Sequence, residues 1–270
     1  MDGILLIDKQ SGKTSHDVVD AIRKQTGQRR VGHTGTLDPL ATGLLVLCVG
    51  KATRLVEFME GHDKEYEATL HLGRLTDTDD REGALLQETP VTLTREELES
   101  RLKALTGNLQ QIPPRYAAIK KDGKKLYEYA RAGEIVEVPA RSVRVDRFDL
   151  LEWTPPTFRA RISCSKGTYI RSLARDLGGS LDALRRTVNG PFRIENAHRE
   201  NQDPVWLPLD AGIHHLPKVD INPEEASLWS IGKDLSRSCD TDLVRIYQED
   251  RFLGIGEKTA TGIHPRKVFS

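Results

Sequence analysis

An α+β fold is what this sequence predicts, and three observations carry it. Apolar residues alternate with mostly polar ones at Tyr66, Ala68, Leu70 and Leu72, and again at Phe158, Ala160, Ile162 and Cys164, the mark of strands with one buried face. Two capping-box spacings, Thr14 with Asp17 and Thr94 with Glu97, open helices. Strands and helices then follow one another without regular alternation, which argues against a doubly wound parallel sheet.

Each element has its own reason. Residues 3–8 are an apolar run that reads as a buried strand. Behind Thr14, the apolar stripe Val18, Val19 and Ile22 predicts a helix, and Gly27 is a suitable stop. Residues 28–43 are rich in Gly, Thr and Arg and precede an apolar strand at 44–49. Behind Thr94, Leu98, Leu102 and Leu105 turn a second helix inward. Asp122-Gly123 is a turn signal, followed by a short helix at 124–131 and strands within 135–151. Residues 168–177 turn helical. Pro204 and Pro208 disfavour a helix or a central strand, so the stretch 203–210 suits a linker. Strand-like pieces recur at 228–231, 243–247 and 252–256. The organisation expected is a larger domain over residues 1–213 and a small β-rich one over 214–270.

Composition bounds the class. Of 270 residues, 37% are hydrophobic and 30% charged, enough for a globular core. No apolar run approaches the ~20 residues of a membrane helix. The opening residues lack a basic region and a cleavage site, so no signal peptide is expected. Cys48, Cys164 and Cys239 are odd in number and far apart, which fits neither a disulfide framework nor a zinc site. A reducing cytoplasm is the expected compartment. Forty basic and forty acidic residues balance, so net charge says nothing of nucleic acid. Basic residues do cluster, at Arg23, Lys24, Arg29 and Arg30, at Lys120, Lys121, Lys124 and Lys125, and from Arg141 to Arg186. One phosphate-binding face and several unrelated solvated faces both remain open.

Three motifs fail. Gly12-Lys13-Thr14 ends like a phosphate-binding loop, but Ile7 stands where that loop needs its first glycine. Asp77, Asp79 and Glu88 match part of a calcium loop, with Arg81 and Glu82 where an acceptor and a glycine belong. Ser15-His16-Asp17 is better read as a helix start than as a triad, whose members meet in space.

The chemistry concentrates in Gly32-His33-Thr34-Gly35-Thr36-Leu37-Asp38-Pro39-Leu40-Ala41-Thr42-Gly43. Three glycines and three threonines among these twelve residues argue against a helix. Pro39 pushes Asp38 away from helical torsions, so a carboxylate stands on a constrained loop just before a buried strand. On the residues alone an Asx-type turn is the simpler reading.

This segment resembles the catalytic motif of the TruB family of transfer RNA pseudouridine synthases, G-H-x-G-x-L-D-P-x-A-x-G. Four further blocks agree in order. They are the opening strand and loop at 3–12; Lys64-Glu65-Tyr66 with Leu72-Gly73-Arg74-Leu75-Thr76-Asp77-Thr78; Ile112-Pro113-Pro114 through Arg131; and Cys164-Ser165-Lys166-Gly167-Thr168-Tyr169-Ile170-Arg171. Gln10 departs from the family, which usually has proline there. The tail after about residue 214 is similar, more weakly, to a short PUA domain.

The resemblance implies a mixed, mostly antiparallel central sheet flanked by helices, with an RNA-gripping insertion at 113–136. It implies isomerisation of the uridine at position 55, in the T arm of tRNA, to pseudouridine, by a monomer without metal or cofactor. Asp38 matches the catalytic carboxylate, which has to be ionised, and Arg171 the arginine that partners it. Tyr66 matches the ring that stacks on the flipped base, and His33 a histidine that fills the space the base leaves. Lys9 and Tyr169 match pocket positions. Lys120, Lys121, Lys124 and Lys125, with Tyr127 and Tyr129, would grip a folded RNA loop. Two rival readings are a base-excising RNA glycosidase, which would release free uracil, and a tRNA-binding chaperone without catalysis.

Overall fold

The computed structural model describes residues 1–269 except 118, 135 and 137, and the side chains of these apart from Lys120, Lys125, Tyr127 and Arg131. Strand β1 (Gly3–Lys9) leads into helix α1 (Ser15–Thr26). Thr14 caps α1 by accepting from the Asp17 amide at 3.1 Å, and the Asp17 carboxylate accepts from the Thr14 amide at 2.7 Å. Such a cap contributes about 1 kcal/mol. Gly27 ends the helix at φ 67°, a left-handed torsion glycine adopts freely. Next come β2 (Val31–His33), β3 (Thr42–Val49), a single turn α2 (Val56–Met59) and β4 (Lys64–Leu72). A short hairpin of β5 (Arg74–Thr76) and β6 (Leu85–Glu88) precedes α3 (Arg95–Ala104), whose Leu98 and Leu102 are buried, and β7 (Gly107–Gln111).

A two-residue hairpin of β8 (Lys120–Lys121) and β9 (Lys124–Lys125) turns at Asp122 and Gly123, both with positive φ. Asp-Gly suits this tight turn because both residues tolerate left-handed torsions. The short helix begins only at Leu126, as α4 (Leu126–Arg131), so Lys124 and Lys125 belong to the hairpin. Strands β10 (Arg141–Thr154) and β11 (Thr157–Cys164), helix α5 (Ile170–Asp176), β12 (Gly179–Asn189) and β13 (Phe192–Arg193) complete the large sheet. Its strand order is β1-β3-β12-β4-β11-β10-β7, with β2 on β3 and β13 on β12. Every pairing is antiparallel except β3 with β12, so the sheet is mixed and mostly antiparallel, as expected.

Strand β12 was not legible in the sequence. It has two bulges, between Leu181 and Ala183 and between Arg186 and Val188. Each bulge breaks the two-residue period that would have announced a strand. One face of the sheet packs Leu5, Ile7, Leu45, Leu47, Tyr66 and Ala68 against α1, α3 and α5. On the other face, Ile4, Leu6, Leu44, Val46 and Cys48 meet Met59, Phe192 and Ile213. Strands β1 and β3 are covered on both sides, which explains their unbroken apolar runs.

The remainder forms β14 (Lys218–Asp220), α6 (Pro223–Ser230), β15 (Leu243–Gln248), β16 (Arg251–Lys258) and β17 (Ile263–Val268), with the strands in one sheet in that order. Two expectations need correction here. Residues 228–231 are the end of α6 and not a strand. Asn222 caps that helix, Pro223 fits its first turn, and Trp229 is buried with its indole donating to Leu253 O at 3.0 Å. Residues 203–210 are not a free linker either: Leu207 exchanges two backbone hydrogen bonds with Ile4, at 3.0 and 2.9 Å, along the outer edge of β1. An edge position tolerates the flanking prolines. Ile255 and Phe269 join the core against β1 and β3, so the second sheet docks on the first.

Candidate active site

The loop at 34–41 joins β2 to β3, and Asp38 stands at its middle. Leu37, Leu40 and Ala41 are buried around it and anchor the loop as an apolar plug. Asp38 O accepts from Ala41 N at 3.0 Å, so the backbone does turn here. The carboxylate is used otherwise: Oδ2 lies 2.9 Å from Nη2 of Arg171. The simpler reading of Asp38 as a turn residue therefore describes its backbone only.

Arg171 enters from the first turn of α5, and its place is set from β7. Gln111, buried at the end of β7, accepts from Tyr169 N at 2.8 Å and donates to Tyr169 O at 3.1 Å. Ser172 donates to Ile112 O at 2.9 Å. Held this way, Arg171 is 5% exposed. Its guanidinium donates to Thr78 O at 3.2 Å and Tyr116 O at 3.1 Å, and Asp80 lies 3.8 Å from Nη1, whereas Asp38 meets Nη2. Arg175, one turn on, pairs with Asp79 at 2.9 Å. Two of the three carboxylates that resembled part of a calcium loop are thus engaged: Asp79 by Arg175, and Asp77 by the Ala84 amide at 2.8 Å. Among the described residues no group of three or more His, Cys, Asp or Glu is placed to hold a metal ion.

Asp38 and Arg171 line a cleft of about 770 Å³ together with His33, Lys64, Tyr66, Lys166, Tyr169, Leu184 and Arg186. Burial pushes the Tyr66 phenol above its usual range, against a weaker downward pull from the Arg186 cation, so the ring stays neutral. Burial also raises the Tyr169 phenol. His33 is pulled below the usual histidine range by burial and then by Arg186, which favours neutral imidazole near pH 7. Burial brings Lys64, at the mouth of β4, down to about 8. A carboxylate paired with a buried arginine, with neutral rings around them, is an arrangement for attack on carbon or for proton abstraction.

Of the residues singled out from the sequence, the structure brings Asp38, Arg171, Tyr66, His33 and Tyr169 into one cleft. Lys9 does not join them. Its side chain is fully buried beneath the loop, and Nζ donates to Gln10 O at 3.1 Å, Lys13 O at 2.6 Å and Pro39 O at 3.3 Å. The structure thus places this amine under three carbonyls, where it holds the loop, and outside the cleft lining. Lys121 and Lys124 lie on the hairpin, outside the cleft lining; Lys124 stands 5.4 Å over the Tyr129 ring, and the Tyr129 hydroxyl donates to Lys121 O at 3.1 Å. The side chains of Lys120, Lys125 and Tyr127 lie outside the described part. Much of the basic character between Arg141 and Arg186 is locally neutralised: Arg144, Arg159, Arg161, Arg175 and Arg185 pair with carboxylates. Sequence reasoning missed Gln111, Lys64 and Arg186. Arg186 stood in the sequence only as one more basic residue, and its burial depends on the unrecognised strand β12.

Comparison with known proteins identifies the family. Residues 23–170 match the family model described as TruB family pseudouridylate synthase, N-terminal domain, and residues 217–269 match pseudouridine synthase II TruB, C-terminal. The chain is 43% identical to tRNA pseudouridine synthase B of Aromatoleum aromaticum, covering 100% of this chain and 93% of that protein. It is 41% identical to the protein of the same name from an Azoarcus species, covering 100% and 95%. The solved structure of a Cbf5-Nop10-Gar1 complex contains a similar chain at 25% identity and TM-score 0.75, covering 99% of this chain and 85% of that one. With one family model spanning over half its length and relatives aligned end to end, the chain belongs to the TruB family of pseudouridylate synthases.

Proposed function

We propose that this chain isomerises the uridine at position 55 in the T arm of tRNA to pseudouridine. The observation that carries the reading is the Asp38–Arg171 pair, 2.9 Å apart in the cleft and presented by the loop that bears the family motif. In the reaction the bond from N1 of the base to the sugar breaks, the base turns, and C5 bonds to the same sugar carbon. C5 loses its hydrogen as a proton and N1 gains one, so atoms and electrons balance without an oxidant or reductant.

A stacked base cannot reach Asp38, so it has to be flipped into the cleft. An ionised carboxylate can attack a carbon of the sugar or of the base, or abstract a sugar proton; every route requires Asp38 charged in a site that the base closes to water. Arg171 supplies the compensating charge. Tyr66 offers a neutral ring for the flipped base to stack on, and Tyr169 lines the same cleft. His33 at its edge would fill the place the base leaves. Lys120, Lys121, Lys124, Lys125 and Tyr127 would grip the folded loop by its phosphates and by stacking. Every group named comes from one chain, so a single copy suffices. We further place the boundary between catalytic and C-terminal RNA-binding parts near residue 213; the second sheet starting at Lys218 and the second family match starting at residue 217 support it.

The test is to map the product. After incubation with unmodified tRNA, carbodiimide treatment and primer extension should give one stop, at the T-arm uridine, and an isolated T-arm hairpin should also react. A stop elsewhere would overturn the T-arm assignment. Free uracil would mean the glycosidase reading, and binding without a stop the chaperone.

A further inference from the structure

The loop at 34–41 has no regular secondary structure, yet backbone groups of Gly35, Thr36, Leu37, Pro39 and Leu40 are bound by side chains from elsewhere. Ser15 accepts from Leu37 N at 2.9 Å and donates to Leu37 O at 3.1 Å. Lys9 holds Pro39 O, and Ser11 holds Leu40 O at 3.2 Å. Each of these side chains grips one place. Arg186 grips both stems: Nη2 donates to Gly35 O at 3.0 Å and Nη1 to Thr36 O at 3.4 Å before Asp38, and Nε donates to Leu44 O at 2.7 Å after it. The same residue meets the second stem through its backbone. Gly43 pairs with Arg186 in the parallel register of β3 and β12, and a Cβ on Gly43 would lie 2.3 Å from Arg186 O. Asn189, also on β12 and buried, donates to Thr34 Oγ1 at 3.1 Å and secures the loop entrance.

Arg186 is 1% exposed, and no carboxylate lies within ion-pair distance of it among the described residues. A guanidinium buried among carbonyls and the Tyr66 phenol, with no carboxylate to pair with, is costly, and an apolar residue at this strand position would pack more cheaply. Stability therefore does not account for it. The fork of a guanidinium can bond three carbonyls at fixed angles, whereas the single Nζ of lysine cannot span them.

We propose that Arg186 is a positioning residue for the reaction, locking both stems of the Asp38 loop to the central strand so that the carboxylate is held at its reacting distance from a flipped uridine. The proposal rests on the functional reading above for its chemical consequence, but not for the loop geometry. Two measurements on the full-length protein separate them. Amide hydrogen exchange of Arg186→Lys and Arg186→Met should show faster exchange confined to residues 35–44, with β1 and α1 protected as in the native protein. Single-turnover pseudouridine formation should fall about 100-fold, the cost of an ångström-scale misplacement, while the Kd for tRNA stays within about twofold. Arg185→Gln, which breaks the neighbouring bidentate pair with Asp8, serves as a control for general destabilisation and should leave the single-turnover rate unchanged. Unchanged exchange at 35–44 would overturn the proposal. So would a weakened Kd with an unchanged chemical rate, which would make Arg186 an RNA-binding residue. Absence of product from the native protein would instead sink the functional reading, and the exchange result would then decide the loop's anchoring alone.

Discussion

The Asp38 loop and the lysine hairpin at 120–125 are both irregular segments that the family motif brings to notice, and they are held in opposite ways. The loop is bound by side chains from β1, α1, β12 and the turn after β1, and its apolar residues are buried. Among the described residues the hairpin is tied to its neighbours in sequence: Leu126 N donates to Ile119 O at 2.8 Å, and Tyr129 reaches back to Lys121 O. The difference suits the tasks proposed for them. A reacting carboxylate has to be fixed to within a fraction of an ångström, whereas a phosphate grip tolerates adjustment because charge acts over distance.

Perturbing each region should therefore give a different signature. The largest effect is expected at Arg171→Ala. It leaves Asp38 without its cation, and the single-turnover rate should fall roughly 10²–10³-fold with tRNA affinity little changed. A large loss of affinity with the chemical step intact would place Arg171 with the hairpin's function and break the contrast. Next is Gly43→Ala. Gly43 has φ 97°, and a Cβ there meets the backbone of Arg186, so the substitution should lower the urea-unfolding free energy by roughly 1–3 kcal/mol. Unchanged stability would mean that β3 and β12 shift apart at little cost and that the loop stems are not rigid. The smallest effects belong to the hairpin. Lys121→Ala and Lys124→Ala should each weaken tRNA binding and make the log–log salt dependence shallower by about 0.7–0.9 for every phosphate left without its lysine, with the single-turnover rate at saturation unchanged. A fall in that rate would tie the hairpin to the chemistry.

The same contrast explains what the sequence disclosed. Strands β4 and β11 were legible because each buries one face, and α1 and α3 because their capping boxes and apolar stripes agree. Asp38 was visible as a constrained carboxylate, but only the motif chose between a turn and a reactive group. What stayed hidden depends on long-range pairing. Strand β12 loses its two-residue period at two bulges, and with it went the burial of Arg186. Lys9 was assigned to the pocket by the family motif alone; its place under the Pro39 carbonyl is set by a chain segment 30 residues away. Residues 228–231 looked strand-like for being apolar; the helix-starting signal lay upstream, at Asn222 and Pro223.

The chemistry assigned to Asp38 is tested most directly by tritium release from tRNA labelled at uridine C5, comparing the native protein with Asp38→Asn. Formation of the new carbon–carbon bond has to expel that hydrogen. Steady release is expected from the native protein, and a rate lower by on the order of 10⁴-fold or more from the variant, with tRNA still bound. Release by Asp38→Asn at a rate near the native one would contradict the assignment of the chemistry to Asp38, and no release by either would contradict the reaction itself.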